Sequence, residues 1–108
     1  MNINGMARGY MSVFLNEEDF LHHVAVTVER QLKEWDPAYE VYVLKLENYQ
    51  LTVKKKGLYY SASLTPGQLK KLQSESAYSL DRYLWAALRN EGLAIQKGFG
   101  NYIDYVFQ

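Results

Sequence analysis

Residues 39–64 constrain the fold more than any other part of the chain, because apolar and polar residues alternate there in three short runs. This two-residue period is typical of β-strands with one buried face. Asn48-Tyr49 and Lys56-Gly57 separate the runs, and both pairs suit two-residue turns, since Asn and Gly tolerate positive φ. The stretch therefore predicts three antiparallel strands joined by two tight turns.

The two turns also predict which side chains share a face of the sheet. With these turns Leu44 lies opposite Val53, and Val53 lies opposite Tyr60. The side facing the helices is then expected to carry Tyr42, Leu44, Leu46, Leu51, Val53, Leu58, Tyr60, Ala62 and Leu64. The opposite side is expected to carry Val41, Val43, Lys45, Thr52, Lys54, Tyr59, Ser61 and Ser63.

Helix boundary signals lie on both sides of the strands. Asn16 suits the N-cap of a first helix, which must end near Asp36-Pro37 because proline cannot continue it. Thr65, followed by Pro66 and Gln68, predicts a capping box at the start of a second helix. Ser79 is the predicted N-cap of a third helix, and Gly92 its left-handed C′ residue. The apolar stripes of the first and third helices comprise Leu21, Val24, Val28, Leu32, Leu80, Leu84 and Leu88. They are expected to pack on Leu44, Leu46, Leu51, Val53, Tyr60 and Ala62.

The C-terminal region predicts two further strands. Residues 93–96 and 102–107 alternate in hydrophobicity around a loop that contains two glycines. The expected fold class is therefore α+β, with two layers in the order α-βββ-αα-ββ and a mainly antiparallel five-stranded sheet backed by helices. Residues 1–108 are expected to form a single domain, in which residues 1–10 are a loosely ordered lead-in.

Charge and cysteine content argue against several functional classes. Twelve basic and twelve acidic residues give no net charge, so no long-range field attracts nucleic acid or anionic lipid. The chain contains no cysteine, which excludes disulfides and fits a reducing compartment. It shows neither a secretion signal nor an apolar run of membrane-spanning length. These features predict a cytoplasmic protein without membrane contact.

Glu18, His22 and His23 are the residues at which metal or acid–base chemistry is easiest to imagine, because Glu18 and His22 are four apart on a helix. Adjacent histidines, however, point about 100° apart on a helix and cannot bind one metal together. The chain also lacks a Gly-x-Ser-x-Gly elbow and a complete dinucleotide-binding glycine pattern. We therefore expect no catalytic residues, no metal site and no cofactor.

Lys54, Lys55 and Lys56, interleaved with tyrosines, suggest an alternative in which the hairpin binds single-stranded nucleic acid. Lysines of this kind also protect exposed strand edges against pairing with other chains. Because the net charge is zero, nucleic-acid binding remains the second choice.

The expected function is a small non-enzymatic protein–protein interaction or regulatory domain. Ten tyrosines favour such a role, because tyrosine combines a large apolar ring with a polar tip. The domain is expected to form a homodimer or to bind another protein through Val41, Val43, Tyr59, Phe99 and Tyr102. A third possibility is a ligand-binding or enzymatic site around Glu18, His22 and His23.

One structural alternative bears on the predicted interface. Residues 1–15 are apolar enough to fold back over the outer side of the sheet, where Tyr10, Val13 and Phe14 would cover the two valines. Intramolecular cover and a protein interface therefore both remain open from the sequence.

Overall fold

The three strands expected from residues 39–64 are present, and helices precede and follow them. A computed structural model describes residues 5–98 and 101–108 of the chain. In chain order the elements are α1 (Gly5–Phe14), α2 (Glu17–Trp35), β1 (Glu40–Lys45), β2 (Tyr49–Lys55), β3 (Leu58–Leu64), α3 (Pro66–Glu75), α4 (Ser79–Asn90) and α5 (Tyr102–Val106). Helix α1 begins inside the segment that was expected to be a loose lead-in.

The hairpin of β2 and β3 has the predicted register. Val53 pairs with Tyr60, and Leu51 pairs with Ala62. Lys56 and Gly57 form the turn, with φ values of 48° and 84°. Positive φ at both central residues is what a type I′ hairpin turn requires, and it matches the twist of the flanking strands.

The predicted register between β1 and β2 is wrong. The loop contains three residues, 46–48, so that Lys45 pairs with Tyr49 and Val41, rather than Leu44, pairs with Val53. This is a shift of three positions, and any odd shift moves every side chain of a strand to the other face. Val41 and Val43 therefore pack against the core, and Tyr42 and Leu44 point outward.

The five-stranded sheet is also contradicted, because the described residues contain one three-stranded sheet in the order β1-β2-β3. Residues 93–98 are irregular, and the segment predicted as the last strand contains helix α5. Its buried side chains are Tyr102, Ile103 and Val106. This spacing fits one side of a helix, whereas the predicted strand followed the alternation of Ile103, Tyr105 and Phe107.

Helices cover one side of the sheet, where α2 contacts β1 and α4 contacts β3. The core between these layers includes Leu21, Val24, Val28, Leu32, Leu51, Val53, Ala62, Leu80, Leu84 and Leu88. Helix α1 packs on α3, on the helical side of the molecule. The fold is thus α+β, and α1 does not cover the outer side of the sheet.

The helix ends follow the local sequence closely. Asn16 Oδ1 accepts a hydrogen bond from the Asp19 N–H at 2.8 Å. Thr65 and Gln68 form the complete capping box, with both reciprocal hydrogen bonds present. The prediction that Ser79 caps α4 is wrong, because Tyr78 occupies the N-cap and the Ser79 hydroxyl lies 2.6 Å from that of Ser76.

Gly92 ends α4 in a Schellman motif. Its φ is 105°, and the Leu93 N–H donates to the Leu88 carbonyl at 3.1 Å. Gly92→Ala is expected to lower the free energy of unfolding by about 1 kcal/mol, because a Cβ is disfavoured at positive φ. A Cβ at this position would contact nothing within 4 Å, so the loss would reflect backbone strain alone.

Urea denaturation of the purified variant measures this effect. Gly67→Ala is a matched control, since Gly67 lies in the first turn of α3 with open space around it, and alanine favours the helix there. We expect Gly67→Ala to be neutral or stabilising. An equal response of the two variants would contradict the strain at Gly92.

Candidate functional site

The side of the sheet that faces away from the helices combines polar side chains with exposed apolar ones. We call it the outer face; in cross-strand rows it consists of Glu40, Lys54 and Tyr59, then Tyr42, Thr52 and Ser61, then Leu44, Gln50 and Ser63. Tyr42, Leu44 and Tyr59, together with Leu46 in the adjoining loop, are between 48% and 78% exposed. No element within the described residues covers them.

The polar groups of the outer face are largely paired within the chain. The Tyr42 hydroxyl donates to a Glu40 carboxylate oxygen, and this hydrogen bond raises the pKa of Tyr42. The Lys54 ammonium lies 5.9 Å from the centre of the Tyr59 ring. Thr52 and Ser61 share a hydrogen bond of 3.2 Å. The face therefore combines exposed apolar side chains with little unpaired charge.

The residues predicted to form the interface do not come together. Tyr59 lies on the outer face, whereas Val41 and Val43 face the helices and are half-buried. Tyr102 is fully buried in the core. Phe99 lies outside the described residues. The register shift replaces the two valines on the outer face by Tyr42 and Leu44, a change that the sequence pattern did not reveal.

Helix α1 presents a second apolar surface. We call Met6, Tyr10, Val13 and Phe14 the α1 stripe; their spacing places them along one side of the helix, and they are between 65% and 86% exposed. The rings of Tyr10 and Phe14 lie 4.3 Å apart between centroids. Of the ten residues of α1, all of them described, Arg8 alone is buried. The helix thus buries its charged residue and exposes four large apolar ones, whereas Met11 packs against the core.

Arg8 is held by a buried polar cluster. Its guanidinium forms an ion pair with Asp81 of α4 and donates to the Thr27 hydroxyl of α2 at 3.2 Å. The Tyr102 hydroxyl donates to the other oxygen of Asp81 and accepts from the indole N–H of Trp85 at 3.0 Å. The cluster joins α1, α2, α4 and α5. Because Arg8 and Asp81 are 1% and 0% exposed, it is closed to a ligand.

The protonation of this cluster follows from its burial. Burial raises the pKa of the Asp81 carboxyl, and the Arg8 guanidinium and the Tyr102 hydroxyl oppose that rise. Burial and the neighbouring Asp81 raise the pKa of the Tyr102 hydroxyl well above its usual value, so Tyr102 remains a hydrogen-bond donor. Sequence analysis did not identify the cluster; its one local signal is the isolated arginine in an otherwise uncharged segment.

The three lysines of the hairpin point in different directions. Lys54 contacts Tyr59 on the outer face, and Lys55 forms an ion pair of 3.0 Å with Asp36 and lies over the Tyr39 ring. Lys56 occupies the turn itself. They therefore do not form a continuous basic surface along which a phosphate backbone would run.

Glu18, His22 and His23 are also separated. Glu18 lies 3.9 Å from Lys45 in a groove of about 490 Å³, and His22 lines a different, shallow cleft of about 130 Å³ beside Val41 and Val43. Within the part of the chain that the structure describes, no three His, Asp or Glu side chains group closely enough to hold a metal ion. These three residues do not form one site.

His23 nevertheless affects stability at acid pH. Burial, followed by the nearby charges of Arg8 and Arg30, lowers the pKa of His23. The unfolded chain then binds the proton first, so this residue's contribution to stability is present above about pH 6.5 and is lost as the pH falls through the lowered pKa. His23→Gln is expected to reduce the loss of stability between about pH 7 and pH 5.

Thermal unfolding at a series of pH values measures this effect. The exposed neighbour His22 supplies the control variant, His22→Gln. If His23→Gln loses as much stability on acidification as the wild type, the assignment to His23 is wrong.

No helix within residues 5–98 and 101–108 combines the length and the apolar character that a bilayer span requires.

Comparison with known proteins adds no family to these observations. The chain matches no protein-family model, no curated protein and no solved structure.

Proposed function

We propose that this protein is a small non-enzymatic interaction domain that self-associates, and that the outer face is its contact surface. The observation that carries the proposal is the exposure of Tyr42, Leu44 and Tyr59 on one side of a sheet whose other side packs against the helices. Large exposed apolar side chains that share one face mark interaction sites more often than single scattered ones do. We also propose a cytoplasmic location, which the absence of cysteine supports.

The composition of the outer face suits protein contact. Tyr42 and Leu44 lie on one edge strand and Tyr59 on the other, and the central strand contributes the polar side chains between them, so the face offers both apolar contact and hydrogen bonding. Its one acidic and one basic side chain, Glu40 and Lys54, are cross-strand neighbours, so the face carries no excess charge. Two copies would therefore approach one another without net electrostatic repulsion.

The competing functions have weaker support. A nucleic-acid binder needs free cations along one surface, whereas Lys55 is paired with Asp36 and Lys54 lies against Tyr59. A catalytic site needs converging titratable groups, whereas Glu18 and His22 line separate clefts. Unlike the interaction proposal, neither alternative is supported by a structural observation.

Leu44→Glu tests the proposal. The wild type is expected to show an average mass that rises with concentration in sedimentation velocity, and Leu44→Glu is expected to weaken this association at least about tenfold, because it buries a charge in an apolar contact. Leu58→Glu is the matched control: Leu58 is an equally exposed leucine of the same sheet, on the helical side. It should associate as the wild type does.

Salt separates this proposal from the nucleic-acid alternative. Association through the outer face should persist between about 50 mM and 500 mM NaCl, since apolar contacts are not screened. A wild type that is monomeric at all accessible concentrations, or that retains bound nucleic acid in a salt-sensitive manner, would contradict the proposal.

A further inference from the structure

Two groups of large apolar side chains are exposed in the part of the chain that the structure describes, and they lie on different sides of the molecule. The outer face belongs to the sheet, and the α1 stripe belongs to a helix that packs on the helical side. Helix α1 cannot turn onto the outer face of its own chain without withdrawing Arg8 from its ion pair with Asp81. Intramolecular cover of either surface by the other is therefore excluded in this fold.

We infer that the outer face of one copy is occupied by helix α1 of a second copy, a head-to-tail contact that rests on the self-association proposed above. The reason is that this contact alone covers both surfaces at once. Pairing two outer faces leaves both α1 stripes in water, and pairing two α1 stripes leaves both outer faces in water. A helix laid on the open side of a sheet is also the ordinary way in which two such layers bury apolar area.

The two surfaces match in size. Ten helical residues extend over about 15 Å, and strands of six or seven residues extend over about 20 Å. Covering the α1 stripe and the apolar side chains of the outer face removes on the order of 1,000 Å² from water, at the lower limit for a specific interface. The contact is therefore expected to be reversible and dependent on concentration.

The two surfaces also match in charge. Arg8 is the one charged residue in the sequence of α1, and it is buried and neutralised by Asp81, so the exposed side of this helix carries no charge. The outer face carries Glu40 and Lys54 as neighbours. An uncharged helix gains nothing from anionic lipid, which attracts helices with basic polar sides. An apolar protein surface of low net charge is the better occupant.

A head-to-tail contact has a consequence that symmetric pairing lacks. After one contact, one copy retains its unused helix and the other its unused face, so a wild-type assembly grows beyond the dimer, as an open chain or a closed ring, unless two copies exchange their helices about a two-fold axis. A symmetric pair stops at two copies. Wild-type species larger than a dimer therefore exclude a symmetric pair.

Complementation between two variants tests the inference. Tyr10→Glu places a charge at the centre of the α1 stripe, and Leu44→Glu places a charge of the same sign on the outer face. Each variant alone is expected to lose association at least tenfold. Their equimolar mixture is expected to form a one-to-one heterodimer, since the intact face of one variant binds the intact helix of the other. Because both new charges are negative, no ion pair between them can produce this result.

Leu58→Glu is again the control and should associate as the wild type does. Circular dichroism should show a folded chain for every variant. If Tyr10→Glu unfolds, Val13→Glu replaces it. A mixture that stays monomeric while the wild type associates would overturn the inference, because the intact face of one variant would then fail to bind the intact helix of the other. Association of Tyr10→Glu at the wild-type level would overturn it and leave the proposed function intact.

Two further outcomes concern the behaviour of the wild type itself. A wild type that remains monomeric in all conditions would remove the proposed function and this inference together. A monomeric wild type that sediments with neutral phosphatidylcholine vesicles, when Tyr10→Glu does not, would assign the α1 stripe to a lipid surface and overturn the inference.

Discussion

Asp81→Ala is expected to lower the free energy of unfolding by about 3–5 kcal/mol, the largest effect of any single substitution considered for this chain. The substitution leaves the Arg8 guanidinium buried at 1% exposure without its counter-charge. It also removes the acceptor of the Tyr102 hydroxyl, which is buried as well. Urea denaturation followed by tryptophan fluorescence measures the change, because Trp85 donates a hydrogen bond to Tyr102 within the same cluster.

Two further variants separate the ion pair from simple loss of a carboxylate. Glu47→Ala removes an exposed carboxylate in the loop between β1 and β2 and should change stability by less than about 0.5 kcal/mol. The double variant Arg8→Met with Asp81→Leu should regain part of the lost stability, because it removes the unpaired buried charge while the Tyr102 hydroxyl still lacks its acceptor. A loss below about 1 kcal/mol for Asp81→Ala would contradict the buried ion pair.

Leu84→Ala is expected to lower the free energy of unfolding by about 2–5 kcal/mol. Leu84 lies in the middle of α4, is fully buried, and belongs to the cluster that separates the helices from the sheet. The shortened side chain leaves a cavity that the surrounding residues fill only in part. Denaturation in urea measures the loss, and the slope of the transition should stay unchanged.

Leu46→Ala is the control for this substitution, because Leu46 is exposed in the loop after β1. It should change stability by less than about 0.5 kcal/mol. Similar losses for the two leucines, or a loss below half a kcal/mol for Leu84→Ala, would contradict the packing of α4 on the sheet.

The two substitutions differ in what they would do to the α1 stripe. Asp81→Ala releases the one buried residue of α1, whereas Leu84→Ala leaves the pair between Arg8 and Asp81 in place. Under the head-to-tail arrangement, correct placement of α1 matters for association. In that arrangement the buried cluster would act indirectly, by positioning α1 rather than by contacting the second copy.

Some features of the fold depend only on residues that are close together in the chain, and these could be predicted from the sequence alone. Thr65 and Gln68 satisfy each other's backbone groups across three positions, and Gly92 supplies the positive φ that its Schellman motif requires. Lys56 and Gly57 make the β2–β3 turn in the same local manner, and that hairpin has its predicted register. Each of these features is complete within a few residues, so the identities of those residues were sufficient to predict it.

Tertiary structure decided which side of β1 faces the core. This strand is apolar on both sides, with Val41 and Val43 on one and Tyr42 and Leu44 on the other, so its hydrophobic pattern fits either register. In the fold, the Glu29 carboxylate of α2 accepts a hydrogen bond from the Val41 N–H at 3.0 Å, and the valines pack beneath that helix. The composition of the outer face, and hence the candidate interface, depends on this choice.

Tertiary structure also decided the burial of Arg8 and the helical conformation of residues 102–106. Arg8 is buried because it contacts Asp81 and Thr27 where three helices pack together. Asp81 is 73 positions away in the chain, so no local sequence pattern predicts this partner. Helix α5 forms because Tyr102, Ile103 and Val106 reach the core at helical spacing, although the alternation of Ile103, Tyr105 and Phe107 also fits a short strand. For β1 and for residues 102–106, long-range contacts selected one of two locally acceptable conformations, because the free energy of burial exceeds the small local preference.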